Sequence, residues 1–177
     1  MITIGASTYQ GLEKLRQALD RGGAMFPALW KKALDDAADI AQKFLGRQFA
    51  TSGREFGTAW PALAKSTQAD RKRKGYKPAR PILVRRGWLR ASVIDKRSAN
   101  HQRTVTLHGI TLSSSLRTKS GLNLVMLHQK GTAKMPARKI FKEGQPPFIS
   151  QRGWEEIKIR FVGAFIELRR EMEGKGK

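Results

Sequence analysis

Apolar side chains recur every three or four residues in the stretch that follows Phe26, as far as Phe44. This is the periodicity of one face of an α-helix. Pro27 suits the first turn of a helix, and Thr51-Ser52-Gly53 supplies residues that end one. We therefore expect a long helix that runs to about Ala50 and measures about 36 Å at 1.5 Å per residue.

Helical patterns also occur near both ends of the chain. Ser7-x-x-Gln10 has the spacing of a capping box, and the helix that it predicts stops at Gly22-Gly23. At the other end, residues 151–172 predict a closing amphipathic helix. The inward faces of these two helices are expected to hold Leu12, Leu15 and Leu19 in the first, and Trp154, Ile157, Phe161, Ala164, Phe165, Leu168 and Met172 in the second.

Short runs of alternating or β-branched residues predict a small antiparallel sheet. Ile2-Thr3-Ile4 indicates one strand, and residues 92–96 and 104–108 indicate two more, joined by a polar turn at 99–102. Residues 122–128 predict a further strand. This order of elements predicts an α+β fold with N-terminal helices, one of them long, a small antiparallel sheet, and a C-terminal helix packed on the sheet.

The periodicity fails between residues 54 and 81, where Gly75, Pro78 and Pro81 occur. We expect a mobile basic loop over about 51–81, with one short helix near 66–74, and a second loop over about 111–121. A Pro-rich connection is expected at 136–148. All these elements are assigned to one domain, residues 1–173, and residues 174–177 to a disordered tail.

The charge of the chain is strongly one-sided. Lys and Arg number 35 against 14 Asp and Glu, which gives a net charge of +21. Within residues 65–90 the only acid is Asp70, and apolar residues such as Leu83 and Leu89 interrupt the basic run, which is not typical of a disordered basic tail. We expect the cations of this stretch to face a polyanion or an acidic partner. They are Lys65, Arg71, Lys72, Arg73, Lys74, Lys77, Arg80, Arg85, Arg86 and Arg90.

Tyr76 and Trp88 lie near these cations and could stack on bases of a nucleic acid. Alternatively, the two rings are packing anchors and the charges form a solvated or protein-facing loop. Both interpretations stay open at the level of sequence. Sequence-specific nucleic-acid binding is not expected, because the chain carries no helix-turn-helix, zinc-finger or RNP-type motif.

The sequence does not favour an enzyme. It has no cysteine, and its three histidines, His101, His108 and His128, lack metal-ligand spacing. It contains no Gly-x-Ser-x-Gly elbow, Walker A motif or dinucleotide fingerprint. Its clustered acids fall on predicted amphipathic helices. We therefore expect neither catalysis nor a cofactor or metal. We also expect no membrane span and no signal peptide, and hence synthesis and retention in a cytoplasm.

Three segments, taken in order, resemble a known pattern. They are Trp60-Pro61-Ala62-Leu63, the stretch 82–92, and the stretch 127–141. Together they resemble the virion morphogenesis (tail-completion) family of tailed bacteriophages and prophages, of the Mu-like type, over about residues 26–165. The matching positions are Trp60, Leu63, Leu83, Gly87, Leu89, Ser92, His128, Gln129, Gly131, Pro136, Ala137, Arg138 and Phe141. The chain departs from the family at Leu124 and Val125, where an aromatic residue is frequent, and at Lys142-Glu143, which precede Gly144.

The resemblance implies a structural virion protein that acts in tail completion and head–tail joining. Such a protein is expected in the neck, as a subunit of a ring, six-fold to match the tail, and to be assembled in the bacterial cytoplasm. Its implied partners are itself, the tail terminator or tail-tube end, head connector proteins, and genomic DNA in the lumen. The basic surface would face that DNA or an acidic neighbouring ring. His128, Gln129 and Gly131 would form a strand end and turn, and Arg138 a buried contact. The alternative is a stand-alone, sequence-nonspecific nucleic-acid-binding protein.

Overall fold

The computed structural model describes residues 2–5, 25–79, 81–141 and 150–174, with side chains for 27–79, 81–141 and 150–170. The predicted α+β class is confirmed. In chain order the elements are β1 (Ile2–Gly5), α1 (Met25–Ala50), a 3-10 turn (Arg54–Phe56), α2 (Lys65–Arg73), α3 (Trp88–Ile94), β2 (His101–Thr106), β3 (Gly109–Ser114), α4 (Leu124–Lys130) and α5 (Gln151–Gly174). The predicted helix with Leu12, Leu15 and Leu19, Arg80, the connection at 145–148 and residues 175–177 lie outside the described residues.

Helix α1 is the centre of the fold, and its prediction from apolar spacing is confirmed. Phe44, Leu45 and Phe49 on this helix are fully buried. Gln48, a polar residue of the same helix, is also buried. Its Nε2 donates to the Lys139 carbonyl at 3.1 Å, and its Oε1 accepts from the Phe56 N–H at 3.1 Å. These hydrogen bonds offset the cost of burying an amide.

The sheet has three antiparallel strands in the order β1-β3-β2. Ile2 pairs with Leu112, and His101 pairs with Ser114. Strand β1 was predicted, but the hairpin differs from expectation in two ways. Its turn lies at 107–108 rather than 99–102, and β3 occupies 111–114, where a loop was expected. Ile110 and Leu112 of β3 are buried.

The strand predicted at 92–96 is wrong, because Trp88–Ile94 is helix α3. Gly87 precedes it with φ 81°, a conformation that favours glycine. Leu89, Ser92 and Val93 are the buried residues of α3, and their spacing of three and four is helical rather than alternating. The Ser92 hydroxyl donates to the Leu89 carbonyl one turn back, at 2.9 Å.

The strand predicted at 122–128 is also wrong, because this segment forms α4. Asn123 caps the helix, since its side chain accepts from the Met126 N–H at 3.1 Å. Val125 and Gln129 are buried four residues apart. His128 and Gln129 therefore lie in the last turns of a helix, and Gly131 follows that helix, rather than forming a strand end.

Helix α5 packs along α1, and α1 in turn contacts β2 and β3. The C-terminal helix was expected to pack on the sheet, and the element that it contacts most among the described residues is α1. The rings of Trp30 and Phe161 are 5.1 Å apart at this helix pair. Phe165, which was expected in the core, is 42% exposed, because it lies at the edge of the buried face.

The segment 51–81 is packed against the rest of the fold along part of its length. Helix α2 confirms the short helix expected there. The Trp60 ring stands edge-on to Phe49 at 5.6 Å, and its Nε1 donates to the Lys139 carbonyl at 2.9 Å. Ser52 is buried and accepts from the Ile82 N–H through its hydroxyl at 3.2 Å. The mobility of this segment stays a prediction.

Candidate anion-binding groove

The three segments that carry the resemblance meet around one open groove of about 800 Å³, hereafter the basic groove. The Arg138 N–H donates to the His128 carbonyl at 2.6 Å, which holds the chain after α4 against that helix. The groove is lined by Ala62, Leu63, Ala64, Thr67, Arg71, Lys74, Leu83, Arg85, Arg86, Gly87, Trp88, Leu89, Leu124, His128, Lys134, Met135, Pro136 and Arg138. Residues more than 70 positions apart in sequence thus form one surface.

The charge of the basic groove has one sign. Among the described residues that line it there is no Asp or Glu, whereas the Lys and Arg residues in it are Arg71, Lys74, Arg85, Arg86, Lys134 and Arg138. In a concave surface of low polarizability, charges of one sign raise the local potential more than they do on a convex surface. The arrangement therefore attracts anions.

Arg138 is only 4% exposed and lies at the base of the groove. Its Nε donates to the Pro61 carbonyl and its Nη2 to the Ala62 carbonyl, each at 3.2 Å. Burial lowers the pKa of this guanidinium, but an arginine stays charged in proteins. The buried contact expected for Arg138 is thus present, and it is made to carbonyl dipoles rather than to a carboxylate.

Arg71 is 5% exposed and has a similar environment. Its Nη1 donates to the Pro81 carbonyl at 3.1 Å. Burial, followed by the positive charges of Arg85 and Arg138, lowers its pKa. Among the described residues neither Arg71 nor Arg138 forms an ion pair with a carboxylate. Two buried positive charges that have no carboxylate partner within the described residues oppose folding, and both of them border the open groove.

Asp70 is the acid nearest to these cations in sequence, and it is already engaged. It lies 2.8 Å from both Arg73 and Lys74 and 3.3 Å from Arg85. The hydrogen bonds from Lys74 and Arg73 lower the pKa of its carboxyl group. Asp70 therefore positions the two groove residues Lys74 and Arg85, but it offsets only one of the groove's charges.

One rim of the groove presents an exposed aromatic ring. Trp88 is 63% exposed, and the guanidinium of Arg86 lies 5.1 Å from its ring centroid. On the inner side the guanidinium of Arg85 lies 5.2 Å from the ring of Tyr76. Each arrangement fits a cation–π contact that restrains an arginine near the groove.

The backbone of this wall includes an unusual conformation. Leu83, which lines the groove, has φ 64°, which is rare and costly for a residue with a Cβ atom. The buried Nε of Arg85 has no hydrogen-bond partner in the described part of the chain. Strain and an unsatisfied donor at one wall are features that are found at functional sites more often than elsewhere.

His128 is half-buried at the groove, and its Nδ1 is buried without a partner among the described residues. Burial, followed by the charge of Arg138, lowers its pKa to about 4. His128 is therefore neutral at pH 7 and adds no charge to the basic groove. Its proximity to Arg138 makes protonation unfavourable for the folded state.

Gln129, which is buried and outside the lining of the groove, holds the segment 138–141 in place. Its Nε2 donates to the Phe141 carbonyl at 2.8 Å, and its Oε1 accepts from the N–H groups of Ile140 and Phe141 at 2.9 and 3.0 Å. Gly131, with φ 75° and ψ −175°, allows this segment to pass closely. A Cβ atom there would lie 2.7 Å from the Ala137 nitrogen. The matched residues of this segment thus shape the groove.

Four of the ten basic residues singled out in the sequence line the groove, namely Arg71, Lys74, Arg85 and Arg86. Lys65, Lys72, Arg73 and Lys77 are exposed outside it. Arg90 lies instead on a separate concave surface near Arg47 and Lys96.

Of the thirteen matched positions, the groove contains Leu63, Leu83, Gly87, Leu89, His128, Pro136 and Arg138. The other six, outside the lining, are Trp60, Ser92, Gln129, Gly131, Ala137 and Phe141. Ser92 is fully buried and accepts from the Ser114 hydroxyl at 2.9 Å.

The sequence reasoning missed Lys134 as a groove residue. It is an exposed lysine in the turn closed by the Thr132 N–H, which donates to the Met135 carbonyl at 2.8 Å. Its position between two matched residues, Gly131 and Pro136, was the available signal.

Within the part of the chain that the structure describes, no group of three His, Cys, Asp or Glu side chains is placed to hold a metal ion. None of the described helices is long and apolar enough to cross a bilayer. Comparisons with protein-family models, with curated proteins and with solved structures find no match for this chain.

Proposed function

We propose that this chain is a structural virion protein of a tailed phage that acts in tail completion and head–tail joining. In this proposal it is a ring subunit at the head-proximal end of the tail, with the basic groove directed toward a neighbouring component of the neck. The observation that carries the proposal is the meeting of the three family-like segments around one groove. Seven of the thirteen matched positions, which come from all three segments, thereby lie in the lining of one groove.

A second surface supports the assembly of this chain into a ring. Four large apolar side chains of α5 are exposed, among them Ile159 at 69% and Val162 at 57%. Because successive helical residues are rotated by about 100°, Ile159, Val162 and Ile166 form one stripe, with Phe165 at its edge. An apolar stripe of this kind on a surface helix is typical of a protein–protein interface, and a ring requires one on every subunit.

Electron microscopy of particles lacking the protein tests the proposed function. A stop codon at Trp60 in the phage or prophage that carries the gene should give filled heads beside unattached or malformed tails. Expression of the intact chain in trans should restore joined particles. Complete virions in the absence of the chain would refute the structural role.

The ring is tested on the purified chain. Replacing Ile159 and Ile166 by Glu should prevent self-association, measured by light scattering, without changing the far-UV circular dichroism spectrum. Arg160→Glu, an exposed position of the same helix outside the stripe, is the matched control. Equal assembly of both variants would exclude the α5 stripe as the ring interface.

The second candidate function is a stand-alone nucleic-acid-binding protein without sequence preference. The exposed Trp88 beside Arg86 and the net charge of +21 favour it. It predicts tight duplex binding whose affinity falls steeply with salt and a chain that is dispensable for particle joining. The stop-codon experiment therefore separates the two functions.

A further inference from the structure

We infer that the basic groove binds an extended acidic segment of a partner protein, with carboxylates on its arginines and an aliphatic side chain on its floor. The inference deepens the proposed function, because a neighbouring neck subunit would supply this segment. It is measured on the purified chain, however, so it can fail while the role in assembly stands.

The floor of the groove indicates what kind of anion it accepts. Its uncharged lining is largely aliphatic and includes Leu63, Leu83, Leu89, Leu124, Met135 and Pro136. Phosphate and sugar groups gain little from contact with such side chains, whereas a leucine or valine of a bound peptide is stabilised in proportion to the apolar surface that it covers. A ligand that combines negative charge with apolar side chains fits both features.

The depth of the charges argues against duplex DNA as the occupant. Arg71 and Arg138 are 5% and 4% exposed, so the phosphates of a rigid double helix cannot approach them closely. A carboxylate on a flexible side chain can enter the groove and accept from the N–H groups that a guanidinium has not used. Arg71 donates to one carbonyl and Arg138 to two in the described structure, although each has five N–H groups.

A single strand of nucleic acid fits less well than an acidic peptide. Proteins that bind single strands stack successive bases on several aromatic side chains. Among the described residues that line the basic groove, Trp88 is the one Phe, Tyr or Trp, and the other aromatic ring, the imidazole of His128, is half-buried. A second copy of this chain is also a poor occupant, because each copy carries a net charge of +21. Charge complementarity therefore favours an acidic partner.

Fluorescence anisotropy on the full chain, at about 0.15 M ionic strength, tests the inference. The probe is a fluorescein-labelled twelve-residue peptide in which Asp and Leu alternate. Two matched peptides replace every Asp by Asn or every Leu by Ser. We expect the Asp–Leu peptide to bind at least about tenfold more tightly than either of these, because each lacks one of the two features that the groove recognises.

Charge-reversal variants at the rim test whether the peptide binds in the groove. Arg86 and Lys134 are exposed, so the double variant Arg86→Glu/Lys134→Glu should fold normally and lose at least about tenfold in affinity. The control Lys32→Glu/Lys119→Glu makes the same change in net charge at exposed positions outside the groove. It should change the affinity by less than about twofold, and circular dichroism and thermal melting check that both variants fold.

Two results would overturn the inference. Equal losses in the groove variant and the control would mean that the peptide responds only to the overall charge. Tighter binding of a twelve-nucleotide oligo(dT) than of the Asp–Leu peptide, together with a larger loss of oligo(dT) binding in Trp88→Ala, would make this a groove for single-stranded nucleic acid.

Discussion

Replacing Gln129 by Met should destabilise the protein more than any exposed substitution, because Gln129 connects α4 to the segment that carries Arg138. The variant removes the three hydrogen bonds between this side chain and the main chain of Ile140 and Phe141. Ile140 is fully buried and Phe141 is 8% exposed, so water cannot readily replace the lost partners. Met has a similar volume, so the effect of a cavity is small.

The magnitude follows from the number of main-chain groups left without a partner. A buried hydrogen bond contributes about 1 kcal/mol net, and an unsatisfied buried donor or acceptor costs about 1–3 kcal/mol. With two N–H groups and one carbonyl affected, and partial relaxation of the segment, we expect a loss of about 3–5 kcal/mol. Since small domains are stable by only about 5–15 kcal/mol, this is a large fraction of the total.

Urea unfolding at pH 7.5, followed by tryptophan fluorescence and by circular dichroism, measures this loss. Trp30, Trp60 and Trp154 are buried and report on the core. Gln151→Met is the matched control, because Gln151 is exposed and its side chain, within the part of the chain that the structure describes, bonds only to Glu155 one turn on. It should change the free energy of unfolding by less than about 0.5 kcal/mol. A loss below about 1 kcal/mol in Gln129→Met would show that this connection does not stabilise the groove.

Three further predictions concern single residues. Gly121→Ala should lower the free energy of unfolding by roughly 1–2 kcal/mol, and Gly131→Ala by several times as much. Both glycines have positive φ, but of the two only Gly131 has backbone atoms where a Cβ atom would lie. Similar shifts of the urea midpoint in the two variants would contradict this. The free energy of unfolding should fall as pH decreases from about 6.5 to about 4, because His128 has a pKa of about 4 in the folded chain and therefore takes up a proton more readily in the unfolded chain. The pKa shift corresponds to at most about 3 kcal/mol, and to less because His128 is only half-buried. His128→Asn should flatten this part of the wild-type pH profile. Arg103→Met should lower the free energy of unfolding by about 1–2 kcal/mol, because the Arg103 side chain is only 12% exposed and pairs with Asp35 and Asp39. The loss should be smaller in 1 M salt, which screens the ion pairs. A loss that does not depend on salt would mean that Arg103 stabilises the fold through packing.

The strongly periodic elements were predictable because their signal is local. In α1 and α5 the apolar residues recur at helical spacing over many turns, and each helix buries most of the face that the spacing indicates. Among the described side chains Phe165 is the exception, since the width of the buried face depends on how α5 packs against α1; the side chain of Met172 lies outside the described part of the helix. Spacing fixes the centre of such a face but not its edges.

The short elements were harder to predict because their apolar runs fit a strand or a helix equally well. Residues 122–128 and 92–96 contain β-branched and aliphatic side chains that favour strands. The Asn123 cap and the helical spacing of Leu89, Ser92 and Val93 outweighed that preference. In segments of seven residues, tertiary packing decides between the two structures.

The α+β class, the long helix, the closing helix and the excess of positive charge could be predicted from the sequence, because they depend on composition or on neighbouring residues. Which of those charges converge depends instead on how distant segments pack. Arg138 binds the carbonyl of Pro61, 77 residues away, and this contact, with Lys134 and Arg71 nearby in the lining, exists only once α2, α3 and α4 are packed. A groove is a property of distant segments, and no local pattern specifies how such segments meet.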